Sequence, residues 1–210
     1  MVGPAGRRER RRVTRELRLC VVGDSFATGY GDPKALGWVG RVVARTPVDE
    51  VDLTVYNLGV RGDSSADVLT RWRDETGRRF VAGAENRLVV AVGRNDVHQG
   101  LSLARTRLNL ANVVDDAVTG GLQPFVVGPP PSLDTAVNER LQPVVAAQQD
   151  VCARRSVPYV DCFTPLTTHE QWHADLAAGD GDHPGQAGYG LLAWLVLHGG
   201  WGAWLGVGTD

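Results

Sequence analysis

The stretch Leu17-Arg18-Leu19-Cys20-Val21-Val22-Gly23-Asp24-Ser25 decides the fold. Its aliphatic and β-branched residues read as a buried strand, and the glycine that follows ends it. A serine then stands at the carboxyl end of the strand, just before a new helical pattern. In parallel α/β sheets that edge is where ligands bind. A hydroxyl placed there is a candidate nucleophile, provided that the chain also brings a base, an orienting carboxylate and donors for an oxyanion.

Four more apolar, β-branched runs follow, at 52–58, 87–93, 123–128 and 157–161. Between them the apolar residues recur at helical spacing. Trp38, Val39, Val42 and Val43 form one such set, and Ala66, Leu69 and Trp72 a second. Leu103, Leu110, Val113, Val114 and Ala117 form a third. A fourth, from Val137 through Leu141, Val144 and Val145 into residues 148–153, is expected to be interrupted by Pro143. The last helix is expected to start near Pro184 and run through Leu197. Strands alternating with helices predict a five-stranded parallel sheet in a three-layer α/β/α sandwich. Residues 17–210 read as one domain without repeats or linkers. Pro129 to Pro131 mark a stiff loop, and Gly199 to Gly208, with Trp201 and Trp204, a C-terminal flap on the core.

The chain has 210 residues, 43% of them hydrophobic, which suits one domain with a sizeable core. A net charge of −2 gives a nucleic-acid partner no support. The charge is uneven: residues 1–18 hold seven arginines against two glutamates, and residues 1–16 read as a basic, poorly ordered tail. No apolar segment follows those arginines, so no signal peptide is expected, and residues 191–197 are too few to span a bilayer. Cys20, Cys152 and Cys162 lack metal-site spacing and read as buried thiols in a reducing compartment, so the expected location is cytoplasmic.

The five strand ends would gather chemistry on one edge. Asp180-Gly181-Asp182-His183 lies in the loop before the last helix. Its three-residue spacing lets one tight turn bring the Asp180 carboxylate to the His183 imidazole, with Asp182 pointing away. An imidazole so oriented can take a proton from Ser25. Three groups are candidates to hold an oxyanion: the Ser25 N–H, the Gly59 N–H and the Asn95 amide. His98 is near enough to Asn95 in sequence to line the pocket.

Gly23-Asp24-Ser25, Gly59, Gly93-x-Asn95-Asp96 and Asp180-x-x-His183, in that order, resemble the four signature blocks of the SGNH (GDSL-like) hydrolases. The resemblance implies a flavodoxin-like α/β/α fold. It also implies cleavage of carboxylic esters, or acyl transfer, without a metal or other cofactor and on a small-molecule ester. Position by position it implies Ser25 as nucleophile, His183 as base and Asp180 as its partner, with Gly59 and Asn95 joining the Ser25 backbone in the oxyanion hole. Phe26 stands where a leucine is often found. Arg94 fills the variable position of the third block and is expected to tune the pocket toward polar or anionic substrates.

Several rivals need weighing. Gly62-Asp63-Ser64 repeats the tripeptide after the second strand, but Ser64 better suits the cap of a helix beginning near Ser65. His169-Glu170-Gln171-Trp172-His173 matches the zinc-peptidase pattern His-Glu-x-x-His. The metzincin extension fails, with Leu176 in place of glycine and Gly179 in place of histidine, and no later glutamate offers a third ligand. No Gly-x-Ser-x-Gly elbow, dinucleotide fingerprint or phosphate-binding lysine motif is present. An ester hydrolase is the leading expectation. The alternatives are an acyltransferase on the same residues, a zinc peptidase through His169, Glu170 and His173, and a non-catalytic ligand-binding domain.

Overall fold

Alternation of side chains along β1 (Arg15–Gly23) sets up the layers. Leu17, Leu19 and Val21 face one core with Trp38, Trp172, Tyr189 and Leu192, while Cys20 and Val22 face a second with Trp72, Leu110, Val113 and Val151. A strand buried on both faces belongs at the centre of a parallel sheet. The computed structural model, which describes residues 15–49 and 51–208, has that arrangement. β1 lies between β2 (Val51–Gly59) and β3 (Glu85–Ala91), followed by β4 (Gln123–Val127) and β5 (Tyr159–Val160), in the order β2-β1-β3-β4-β5 with every pair parallel. The expected three-layer α/β/α fold is found.

Nine α-helices are present among the described residues. α1 (Ser25–Thr28) and α2 (Gly37–Arg45) follow β1; α3 (Ser65–Gly77) follows β2; α4 (Arg94–His98) and α5 (Leu103–Thr119) follow β3. α6 (Thr135–Ala153) lies between β4 and β5, and α7 (Glu170–Ala177), α8 (Gln186–Val196) and α9 (Gly202–Leu205) complete the chain. α2 and α8 cover one face of the sheet with Trp38, Val42, Leu192 and Val196. α3, α5 and α6 cover the other with Val68, Leu110, Val114 and Val151.

Three expectations change. Pro143 does not interrupt α6, which runs unbroken through it. A proline inside a helix costs about 3 kcal/mol, but Leu141, Val144, Val145, Gln148 and Val151 are all buried from this one helix and offset that cost. The final helix stops at Val196, and a kink at Gly199 and Gly200, the latter with φ 98°, turns the chain into α9. Trp201, just after the kink, is buried and donates to Thr46 Oγ1 at 3.0 Å, so the predicted flap is part of the core.

The third change is the start of the domain. Arg15 and Glu16, assigned to the basic tail, are strand residues. Arg15 forks onto Glu85 with Nε–Oε1 at 2.7 Å and Nη2–Oε2 at 2.8 Å, and also donates to the carbonyls of Leu205 and Gly206. The rest of the tail, residues 1–14, lies outside the described residues. Among those described, no helix is long and apolar enough to cross a membrane.

Candidate active site

Ser25 is the first residue of α1, so its backbone turns sharply where β1 ends. Asp24 makes that turn by capping the helix: its Oδ1 accepts from the Phe26 N–H at 2.9 Å. Gly23 is needed below it, because a Cβ there would lie 2.4 Å from the Ala91 carbonyl oxygen of β3. The Ser25 side chain is thereby presented at the carboxyl edge of the sheet while the residue stays nearly buried. Burial also pushes the Asp24 carboxyl up to about 7, against the pull of the Phe26 N–H and Arg94.

His183 Nε2 lies 2.8 Å from Ser25 Oγ, and His183 Nδ1 lies 2.8 Å from Asp180 Oδ2. The turn 180–183 is built as its spacing predicts. Asp180 Oδ1 accepts from the backbone N–H groups of Asp182 at 2.9 Å and His183 at 2.7 Å, and Gly181 takes a positive φ of 82°. Burial works against the Asp180 carboxylate, but the backbone and ring hydrogen bonds to His183 prevail and hold its pKa below the ordinary aspartate value. The imidazole is packed between Phe26, with ring centroids 5.1 Å apart, and the edge of Tyr30 at 4.8 Å. A cavity of about 230 Å³ opens beside it, bounded by Tyr30, Gly31, Asp175 and Gly185.

The oxyanion candidates divide. Asn95 is in α4, and its Nδ2 donates to the Asp63 carbonyl at 2.9 Å, which leaves a second Nδ2 hydrogen. Gly59 is placed differently from expectation. Its N–H is taken by Asn57 Oδ1 at 3.1 Å. A Cβ on Gly59 would lie 2.7 Å from Thr28 N and 2.9 Å from Asp24 O, so this glycine lets β2 pack against α1. Three residues on, Gly62 has φ +87° with open space around its Cα, its carbonyl is held by Gln99 Nε2 at 2.8 Å, and its N–H has no partner among the described residues. Sequence reading missed Gly62. A signal was available in the Asp63-Ser64 pair that follows it, since a helix cap places the turn just before it beside the strand end.

Arg94 also departs from expectation. Its side chain is 1% exposed. It donates to Asp182 Oδ1, to the Pro130 carbonyl at 2.9 Å and to His98 Nε2 at 3.3 Å, so its donors face protein acceptors rather than an open pocket. Burial lowers its pKa to about 10, and it keeps its charge at neutral pH. His98 is partly exposed, with Nε2 3.7 Å from Asp182 Oδ2, and burial together with the Arg94 charge lowers its pKa. Asp182 is paired with Arg94 and accepts from Ser132 Oγ at 3.2 Å.

Ser64 is 1% exposed, and both its N–H and its Oγ donate to Asp67 Oδ2, at 2.9 and 2.7 Å. It caps α3 as expected. In the zinc-like motif His169 precedes α7 as its N-cap, Trp172 fills the core, and its Nε1 donates to the Pro131 carbonyl at 3.1 Å. Among the described residues no group of three or more His, Cys, Asp or Glu side chains is placed to hold a metal ion.

Residues 21–191 match the GDSL-like lipase/acylhydrolase family. The chain belongs to that family. Solved structures share its GDSL-like fold. A lipase/acylhydrolase from Enterococcus faecalis is 22% identical with a TM-score of 0.72, covering 92% of this chain and 98% of its own. An acetylxylan esterase from Geobacillus stearothermophilus, solved as a catalytic mutant of Axe2, is 19% identical with a TM-score of 0.72, covering 92% and 97%. YpmR of Bacillus subtilis, an uncharacterised protein, is 24% identical over 151 residues, which are 71% of this GDSL-like chain and 52% of YpmR. The chain thus spans about half the length of that curated relative.

Proposed function

We propose that this GDSL-like protein hydrolyses small carboxylic esters through an acyl-enzyme on Ser25. The observation that carries the reading is the continuous chain of contacts from Asp180 Oδ2 through His183 to Ser25 Oγ, with both links at 2.8 Å. Ser25 Oγ attacks the carbonyl carbon as His183 Nε2 takes its proton. Asp180 holds the Nδ1–H tautomer and offsets the charge of the imidazolium. The carbonyl electron pair moves to oxygen, which is met by the Ser25 N–H, the Asn95 amide and the Gly62 N–H. Gly62 replaces Gly59 in this role because the Gly59 N–H is already bonded to Asn57. Collapse breaks the ester C–O bond, and His183 delivers its proton to the leaving alcohol. Water then repeats the sequence, releasing the acid and restoring Ser25.

The three cysteines are free and buried, which supports a reducing, cytoplasmic setting. Hydrolysis of short-to-long aryl esters by wild type, Ser25→Ala, Ser64→Ala and His169→Ala tests the whole reading. Ser25→Ala should lose at least about 10³-fold in kcat, while Ser64→Ala and His169→Ala stay close to wild type. A dead Ser64→Ala beside an active Ser25→Ala would sink the assignment. Added acceptor alcohols show whether water or an alcohol receives the acyl group.

A further inference from the structure

The Arg94 guanidinium is withdrawn from water at the rim of the site, yet it touches neither Ser25 nor His183. Its partners come from three separate segments of the edge. His98 lies one turn along α4, Pro130 belongs to the loop after β4, and Asp182 belongs to the loop that carries Asp180 and His183. Asp182 is held a second time by Ser132 Oγ at 3.2 Å, from the same β4 loop as Pro130. The Phe26 ring stands between this cluster and the imidazole, 5.7 Å from Arg94 Cζ and 5.1 Å from the His183 ring.

The 180–183 turn has few other anchors. Gly181 donates its N–H to the Leu176 carbonyl at 3.0 Å, its Cα faces open space, and the Asp180 side chain is nearly half exposed. Asp182 therefore fixes the far side of the turn. Its own N–H donates to Asp180 Oδ1, so moving Asp182 moves the carboxylate that orients His183. Stability is a weak reason for such a pair. Desolvating an arginine costs several kcal/mol, and a well-packed apolar pair of similar volume often serves the fold as well. Geometry is the better reason, because a displacement of about 1 Å in a reacting group can cost about 100-fold in rate.

We propose that the Arg94–Asp182 pair, braced by Ser132, is a latch that positions the Asp180–His183 turn against Ser25. Arg94 and Asp182 are positioning residues that act through Asp180 and touch no substrate. Because Arg94 adjoins Asn95, the same latch ties the base to an oxyanion donor. The inference rests on the hydrolase reading above.

The test compares Asp182→Asn, Arg94→Met and the double variant with wild type. Three quantities are measured: kcat and KM on an aryl acetate, the thermal midpoint, and the low-field proton NMR signal of His183 Nδ1–H. Asp182→Asn strands a buried charge, so it should lower both the thermal midpoint and kcat, the latter by about 10- to 100-fold, with KM little changed and the Nδ1–H signal weakened. In the double variant the stranded charge is gone. The thermal midpoint should recover while kcat and the signal stay low. Recovery of kcat together with stability makes the pair merely structural and overturns the proposal, as do single variants with wild-type kcat. If Asp182→Asn does not fold, Ser132→Ala removes one donor to Asp182 together with the acceptor of the Asp134 N–H at 3.2 Å. It should cut kcat about threefold and weaken the signal while the lost Asp134 bond lowers the thermal midpoint only slightly, and no change in kcat or in the signal overturns the latch. Wild type inactive on every ester would sink the hydrolase reading, and the NMR signal would still decide the latch.

Discussion

A methyl group at position 59 would lie 2.7 Å from a backbone nitrogen of α1, whereas at position 62 it would meet nothing within 4 Å. Gly59→Ala should therefore cost roughly 1–3 kcal/mol of stability, read by urea unfolding. The N–H groups separate the same two glycines in activity. Replacing Gly62 by glycolic acid exchanges its N–H for an ester oxygen and should lower kcat about 10²- to 10³-fold, while the same exchange at Gly59 should leave kcat within about threefold. Equal losses at both positions would remove Gly62 from the proposed oxyanion site. Residue type alone could not distinguish them, since both are glycines near a strand end. What does is the register of β2 on β1, which sets Gly59 opposite Gly23. Arg94 and Asp182 were illegible for a similar reason: two charges 88 residues apart show no pairing until the loops are folded. The contact of Asp180 with His183 was legible because the two are three residues apart, whereas Ser25, 158 residues from His183, was tied to them only by its place at a strand end and by the resemblance of the four blocks.

Elements were easier to read where one period dominates. The centres of all five strands lie in the apolar runs; β1, β3 and β4, inside the sheet, have few polar residues to blur the pattern, and β2 at the edge keeps Val51, Leu53, Val55 and Leu58 despite Asp52, Thr54 and Asn57. β5, only Tyr159–Val160, is shorter than its run: Pro158, just before it, has no N–H for the ladder, and its partner β4 ends at Val127. Pro143 misled because a local rule was outweighed by burial along the rest of α6. The start of α3 was read correctly from its cap. There Asp67 receives both the N–H and the hydroxyl of Ser64, and these bonds hold its pKa below the ordinary value. Asp67→Ala should lower stability by about 1 kcal/mol, measured by urea unfolding, with kcat on the aryl ester unchanged. A lost kcat would mean that Ser64 matters to the chemistry.

Over the whole molecule, carboxyl groups of opposite behaviour shape the dependence of stability on pH. Arg15 holds Glu85 down to about 2, and Asp115 and Asp180 also titrate below their ordinary values. Their contributions are complete above the unfolded values, near pH 4, and are lost as pH falls through the folded ones. Asp24 has the opposite sign. Its folded value of about 7 exceeds the unfolded one, so the native state loses stability as pH rises between about 4 and about 7. Asp24→Asn keeps an acceptor for the Phe26 N–H and removes that loss. Its thermal midpoint should gain on wild type as pH is raised from 5 to 8 (a chosen range spanning about that window), and a constant difference would mean that Asp24 stays ionised throughout. The Arg15 clamp has a further effect. It gathers the first and last described segments at the amino end of β1, about 30 Å from Ser25 at roughly 3.3 Å per residue. A purification handle, a fused partner or a surface tether grafted directly onto Arg15 or Gly206 would start from the far side of the protein, away from the mouth of the site.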